Sequence, residues 1–474
     1  MTTTEQTRTP RAAVMVAITA ATLGVIYGYD QSNIGGAQLY FEQDLGMTTS
    51  AVETVVAAIV IGEIVGAVIG GWVANRIGRR RSMLVVASGY IVFCLSSALS
   101  VSAQMLWGSR LLLGVTIGIS LVAVPVFVAE SVPARVRGAT LVAYQVSTVV
   151  GIIAGFVFAA LLSDVNNQYN WRLMLGIAAV PAVVLLPFLV KLPETARWYM
   201  LVGQREQAKR SLEKTDPDAD IDAELDDMQA AIGAESGGTI SEMVRSPYLR
   251  ATLFVVGLGF FIQITGINAT VTYGPKIFTA MGIESTSEVL WMNVFVQVLA
   301  LIAVLISMRT VDRWGRRPIL LTGISVMIVA QLIMVVTFAT LQDGEFQAWQ
   351  KWAGFAGLAL INIGFVFGFG ALVWVYASEA FPAHLRAYGA GAMLTADLVA
   401  NWIIANFFLS AMDKVGGAGA FGFFAVMAAL AWVFVWKLAP ETKGRGLDEI
   451  RHYWENGGAW PSENPTTSAH DARD

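Results

Sequence analysis

Twelve separate runs of apolar residues, each long enough to cross a bilayer, constrain this chain more than any other feature. Their limits fall near 12–34, 50–74, 82–102, 105–129, 139–162, 172–190, 251–281, 288–309, 318–341, 352–378, 386–411 and 418–438. About twenty residues at 1.5 Å each cover a hydrocarbon core roughly 30 Å thick, so each run can cross once. Peptide groups in lipid must bond within their own segment, which makes these runs helices rather than strands. Composition agrees: 55% of the 474 residues are hydrophobic and only 14% are charged, against about a quarter charged in an average soluble domain.

The polar stretches divide the chain. The longest interruption, 191–250, carries Lys191, Arg205, Lys209, Arg210 and a run of aspartates among amphipathic patches, and reads as a small helical domain outside the membrane. This gives a first six-helix half at 1–190, the insert at 191–250, a second half at 251–440 and a polar tail at 441–474, disordered toward its Pro/Ser/Thr-rich end. The first apolar run has no small-residue cleavage site and reads as a span rather than a signal peptide. Cys94 is the only cysteine, which leaves no disulfide framework and no cysteine metal cluster. His384, His452 and His470 are the only histidines, and no nucleophile–base or metal spacing surrounds them. Neither an enzyme, a cofactor, a metal site nor a nucleic-acid partner is expected.

Lysine and arginine set the orientation. Arg76, Arg79, Arg80 and Arg81 follow span 2, Arg135 and Arg137 follow span 4, and Arg309, Arg313, Arg316 and Arg317 follow span 8. Loops 35–49 and 163–170, on the other side, contain neither residue. The positive-inside rule places both termini and the insert in the cytoplasm.

The halves repeat each other. Asn75-Arg76-Ile77-Gly78-Arg79-Arg80 matches Asp312-Arg313-Trp314-Gly315-Arg316-Arg317. Glu130-x-x-Pro133-Ala134-x-x-Arg137 matches Glu379-x-x-Pro382-Ala383-x-x-Arg386, and Pro193-Glu194-Thr195 matches Pro440-Glu441-Thr442. Three pairs in one order, each about 240 residues apart, predict two pseudo-symmetric six-helix bundles rocking around a midplane site. The arginine clusters could serve topology alone, but glutamates recur with them. Carboxylates at helix ends, facing arginines of a neighbouring loop, could latch the cytoplasmic side shut. Candidates for this gate are Arg76, Arg80, Glu130, Arg137, Glu194 and Arg197, and in the second half Asp312, Arg313, Arg317, Glu379, Arg386 and Glu441.

From 12 to 445 the chain resembles the sugar porters of the major facilitator superfamily. The resemblance is carried by Gly28-Tyr29-Asp30, Arg76-x-Gly78-Arg79-Arg80, Arg110, Glu130-x-x-Pro133-x-x-x-Arg137-Gly138 and Trp171-Arg172. Pro193-Glu194-Thr195-Ala196-Arg197-Trp198, Gln263-x-x-Gly266-Ile267-Asn268 and Pro440-Glu441-Thr442-Lys443-Gly444 complete it. It implies an all-α membrane protein with the major facilitator fold in the cell (inner) membrane, active as a monomer on a monosaccharide or polyol. Transport would run by proton symport or by facilitated diffusion.

An ionisable residue inside a span costs several kcal/mol unless paired and marks function by default. Asp30 in span 1 and Arg110 in span 4 match the proton-coupling pair of the family's symporters, so by resemblance Asp30 carries the proton. Glu63 in span 2, where the family more often has a small residue, could be a relay, a partner for Arg110 or a snorkelling side chain. Gln145, Gln263, Asn268, Trp374 and Tyr27 match sugar-contacting positions of the family, and Tyr273 is a further candidate in span 7. Buried amides can equally be interhelical glue. On a regular helix Gln263 and Asn268 would diverge by about 140°, and Gly266 between them permits a break that turns both toward one cavity. Gln145, Gln263, Asn268 and Trp374 are expected to line that cavity together.

Departures from the hexose carriers qualify the substrate. Ile262 stands where a second glutamine is usual, Ala371 replaces a proline, and Asp397 and Leu398 replace an amide and a tryptophan in span 11. The span-8 asparagine position aligns with Ala300, while Asn293 and Gln297 share one helix face. Asp397, with Asn401 one turn later, could accept hydroxyls, bind a cationic group or protonate. A pentose or a polyol then fits as well as glucose. A uniporter, a drug-efflux antiporter and a transporter-shaped nutrient sensor are the alternatives. The sensor suits a much longer tail than the 34 residues after Pro440.

Overall fold

A computed structural model describes residues 11–132, 134–165, 169–216, 220–235, 240–341 and 345–460. Ten helical stretches are long and apolar enough to cross a membrane. One of them, Ala383–Leu438, folds back at Gly416, where φ is 72°, and supplies spans 11 and 12. With Arg11–Asp44 as span 1, the crossings number twelve.

The first half comprises Arg11–Asp44, Thr49–Ile77, Arg79–Ala98, Ala103–Ser131, Ala134–Leu162 and a sixth span in two pieces, Asn170–Ile177 and Ala179–Lys191. In the second half, span 7 is broken into Leu249–Ile264, Ile267–Thr272 and Gly274–Ala280, and span 10 into Ala348–Phe367 and Phe369–Glu379. Spans 8 and 9 are the unbroken helices Thr286–Trp314 and Arg316–Ala339. Large apolar side chains such as Val68, Val92, Leu161, Val184, Leu253 and Ile306 are exposed on the outer faces. In a spanning bundle that is the surface lipid covers.

Small residues set the helix spacing. Lipid gives no hydrophobic drive for helix association, so close van der Waals contact must supply it. Gly62 and Gly66 of span 2 meet Gly114 and Gly118 of span 4, and a methyl on any of the four would overlap the facing backbone. Arg110 lies one turn before Gly114 and Glu63 adjoins Gly62, so this seam fixes the depth of both charges.

One expectation needs adjustment. Span 1 extends to Asp44, through part of the segment read as loop 35–49, because Ala37 and Phe41 are fully buried and Phe41 packs edge-on against Trp171 at 6.1 Å. The polar tail begins with the helix Leu447–Glu455, whose Trp454 lies buried 5.1 Å from the Phe254 ring, and its Pro/Ser/Thr-rich end lies outside the described residues. In the insert, Ala196–Leu201, Arg205–Thr215 and Ile221–Glu235 gather around Met200, Ala208, Leu212 and Leu225, while Ile240–Met243 buries Met243 in the main core.

Candidate translocation site

Arg110 Nη1 donates to Asp30 Oδ1 at 2.8 Å, with the two residues 1% and 4% exposed. The contact is single-pronged, and Arg110 Nε has no hydrogen-bond partner. Removing one member of so buried a pair costs about 3–5 kcal/mol where the remaining charge finds no other partner. The pair opens on a cavity of about 40 Å³ between the halves, which Gln31, Glu63, Asn268, Thr272, Tyr273 and Asn401 also line. One water needs about 10–15 Å³ by this measure, so the cavity takes a few waters and is too small for a hexose.

Span 7 breaks at Gly266, whose φ of 91° is left-handed. The carbonyl of Thr265, freed there, accepts Nε2 of the buried Gln331 from span 9 at 2.7 Å. A buried amide thus satisfies the broken backbone, which lipid could not do. The break turns Asn268 to the cavity, while Gln263 lies within side-chain hydrogen-bonding reach of Asp397. Gln263 Oε1 is buried without a partner. Tyr27 accepts from Gln31 Nε2 at 3.0 Å and stands within electrostatic reach of both Glu63 and Asp397.

The expected common lining is not found. Of Gln145, Gln263, Asn268 and Trp374, only Asn268 lines the cavity between the halves. Gln145 is half-buried. Trp374, on the short piece of span 10 beyond the break at Gly368, is 45% exposed. Tyr273 lines the cavity, but its hydroxyl is committed to the Ala405 carbonyl and its ring stacks on Phe408 at 5.6 Å. The face of span 8 bearing Gln297 is interhelical glue: Gln297 Nε2 donates to Asn362 Oδ1 at 3.2 Å, and Asn362 to Thr270 Oγ1 at 3.3 Å. Gln31 went unnoticed in the sequence; its position beside Asp30 is the signal that could have found it.

Among the described residues, polar contacts between the halves lie at the span ends opposite the arginine clusters. Lys276 Nζ meets Glu42 Oε2 at 2.5 Å, Gln38 Nε2 donates to the Thr272 carbonyl at 2.7 Å, and Glu53 Oε1 accepts the Ser410 N–H at 2.8 Å. The halves are therefore closed together on that side.

The arginine–glutamate clusters differ from expectation in two ways. The arginine that grips Glu130 is Arg79, donating from Nε at 2.9 Å and Nη2 at 3.0 Å, rather than Arg76 or Arg80. Thr195 Oγ1 donates to the same carboxylate at 2.7 Å, and Arg197 Nε stands 3.8 Å from it. Arg76 is exposed over the Trp72 ring, and Arg80 Nη1 donates to the Leu192 carbonyl. In the second half Glu379 faces Arg316 and Thr442, the repeats of Arg79 and Thr195. Arg317 donates to the Trp436 carbonyl, the Arg313 carbonyl accepts from Lys443 Nζ, and Arg386 Nε has no hydrogen-bond partner.

Secondly, these contacts tie elements within one half instead of bridging the two. Glu194 accepts the Arg80 N–H at 2.9 Å, and Glu441 accepts those of Arg316 and Arg317 at 3.1 Å each. Each glutamate thus caps the start of a helix, span 3 or span 9, where unpaired N–H groups favour an anion. The side chains of Arg137 and Asp312 lie outside the described residues.

The sequence profile described as "Sugar (and other) transporter" matches residues 16–454. The galactose-proton symporter of Escherichia coli (strain K12) is 31% identical over 438 residues, covering 92% of this chain and 93% of that protein. The arabinose-proton symporter of that strain is 30% identical over 458 residues, covering 94% and 96%. The solved inward open conformation of the xylose transporter XylE from E. coli superposes with a TM-score of 0.80 at 23% identity, covering 94% of this chain and all of that one. That likeness establishes the fold.

Proposed function

The chain belongs to the sugar (and other) transporter family, and from that premise we propose that it takes up a monosaccharide or polyol by proton symport. It works by alternating access, as a monomer in the cell (inner) membrane with both termini cytoplasmic. One observation carries the reading: the buried Asp30–Arg110 pair opens on the cavity between the halves. Topology does not require a charge pair at that depth, and a carboxylate there can exchange a proton with water in the cavity. Two relatives named as proton symporters support the same reading. The closed outer side and the orphaned amide oxygen of Gln263 suit a site that exchanges its substrate with the cytoplasm.

Proteoliposomes given an inside-alkaline gradient test it. A competition screen of radiolabelled galactose, arabinose, xylose and inositol identifies the substrate, which should accumulate above equilibrium. Asp30→Asn should abolish accumulation while sparing counterflow exchange, which moves no net proton. A wild-type protein that only equilibrates its substrate is a uniporter. An Asp30→Asn variant that still concentrates it places coupling elsewhere.

A further inference from the structure

The site holds more carboxylates than its one cation can neutralise. Glu63 is 5% exposed, has no hydrogen-bond partner among the described residues, and lines the cavity that Asp30 and Arg110 line. The charged groups within its electrostatic reach are Asp30 from span 1, Arg110 from span 4 and Asp397 from span 11. The phenols of Tyr27, Tyr90 and Tyr144 face it from spans 1, 3 and 5, and the Cys94 thiol faces Asp30. Among the described residues Arg110 is thus the only cation facing this cluster, and it spends Nη1 on Asp30 while Nε is unpartnered.

We propose that Asp30 and Glu63 bind the transported proton as one shared unit, with Arg110 pairing whichever carboxylate is ionised. In the described arrangement Asp30 holds the guanidinium, so the proton resides on Glu63. Moving it through cavity water from the Glu63 hydroxyl to an Asp30 oxygen leaves Glu63 ionised, and the free side of Arg110 turns to it. The cluster stays neutral in both arrangements, so neither leaves a charge unpaired in a low-dielectric span. Release of the proton leaves two carboxylates flanking one guanidinium, which is the unloaded state. Glu63 becomes a residue of the coupling machinery rather than a bystander. The inference rests on the proton-symport reading.

A substrate-free measurement decides it. Infrared spectroscopy of the full-length protein in detergent follows the stretching band of protonated carboxyl groups as pH is raised. All variants carry Asp397→Asn, which removes the third acid. With both carboxylates present, a band should titrate away through the pH range in which transport declines. Glu63→Gln should lose that band, because the unit then lacks the carboxyl group that holds the proton while Asp30 holds the guanidinium. Asp30→Asn should lose it too, because Arg110 then pairs with Glu63. Glu63→Asp, which retains an acid, should restore it. Persistence of the band in Glu63→Gln makes Asp30 the sole carrier and overturns the shared unit while leaving symport intact. Persistence in Asp30→Asn makes Glu63 an acid independent of Arg110 and overturns it equally. Failure of the symport reading itself would instead show as wild-type transport that never exceeds equilibrium.

Discussion

The carboxylate of Glu53, at the outer end of span 2, accepts the backbone N–H of Ser410 at 2.8 Å across the seam between the halves, and Glu53 is 1% exposed. Ser410 also donates its hydroxyl to Glu53 Oε2. An acid carrying two donors from the opposite half is a contact made only while the outer side is shut, so it biases the conformational equilibrium.

Glu53→Ala should therefore favour the outward-open state. Hydrogen bonds to a charged group contribute about 1.5–3 kcal/mol, and each 1.4 kcal/mol is tenfold in population. Spin labels at the outer ends of spans 2 and 11, on a Cys94→Ser background, would report the shift by pulsed electron resonance as a longer distance. An unchanged distribution would show that the Lys276–Glu42 and Gln38–Thr272 contacts hold the closure without it.

Gln263→Ala and Asn268→Ala should each weaken binding of the identified substrate by about 1–3 kcal/mol, the cost of leaving buried partners unpaired. Gln263 offers an unused oxygen, and Asn268 already faces the cavity. Trp374→Ala should matter less in this conformation, since the ring is 45% exposed. Equilibrium binding of radiolabelled substrate measures all three; wild-type affinity in Gln263→Ala would make that amide a packing group.

Asp397→Asn should reorder the preference among sugars and polyols more than it lowers maximal rate. Asp397 is half-buried beside Gln263, and the asparagine keeps its shape and one acceptor. Asp397→Leu should remove binding. Substrate ranking and proton-to-substrate ratio, measured on the asparagine variant, separate a selectivity role from a second protonation site. An altered ratio with the ranking intact would favour protonation.

Arg79→Ala should lower thermal stability far more than Arg76→Ala. Arg79 is buried and forked onto Glu130, so its loss strands a carboxylate at about 3–5 kcal/mol, whereas an exposed arginine over a tryptophan is worth about 0.5–1 kcal/mol. Melting curves of the detergent-solubilised variants compare them. Equal losses would mean that Arg79 contributes no more than its surface neighbour.

Spans, repeats and family were legible because each rests on local or periodic signals. A run of twenty apolar residues is a helix in lipid whatever surrounds it, and the paired Arg-x-Gly-Arg-Arg and Pro-Glu-Thr motifs recur at a fixed interval. The break at Gly266 was legible too, since glycine between two polar positions marks where a helix can turn. Partner choice was not. Arg76, Arg79 and Arg80 are nearly equivalent in a linear motif, and only the start of a helix at Arg79 puts one guanidinium on Glu130 and another on a carbonyl.

The sequence by itself determined that the chain spans the membrane twelve times, in two like halves, with charges at depths where charge is costly. Tertiary structure decided which charges meet. Asp30 and Arg110 are eighty residues apart and Glu63 lies on a third helix, and the glycine seam between spans 2 and 4 sets the depth of Arg110 and Glu63. It also decided which side is shut, because Glu53 and Ser410, or Glu42 and Lys276, become partners only when the halves lean together. Pairing of this kind depends on how whole helices pack, and no short stretch of sequence encodes it.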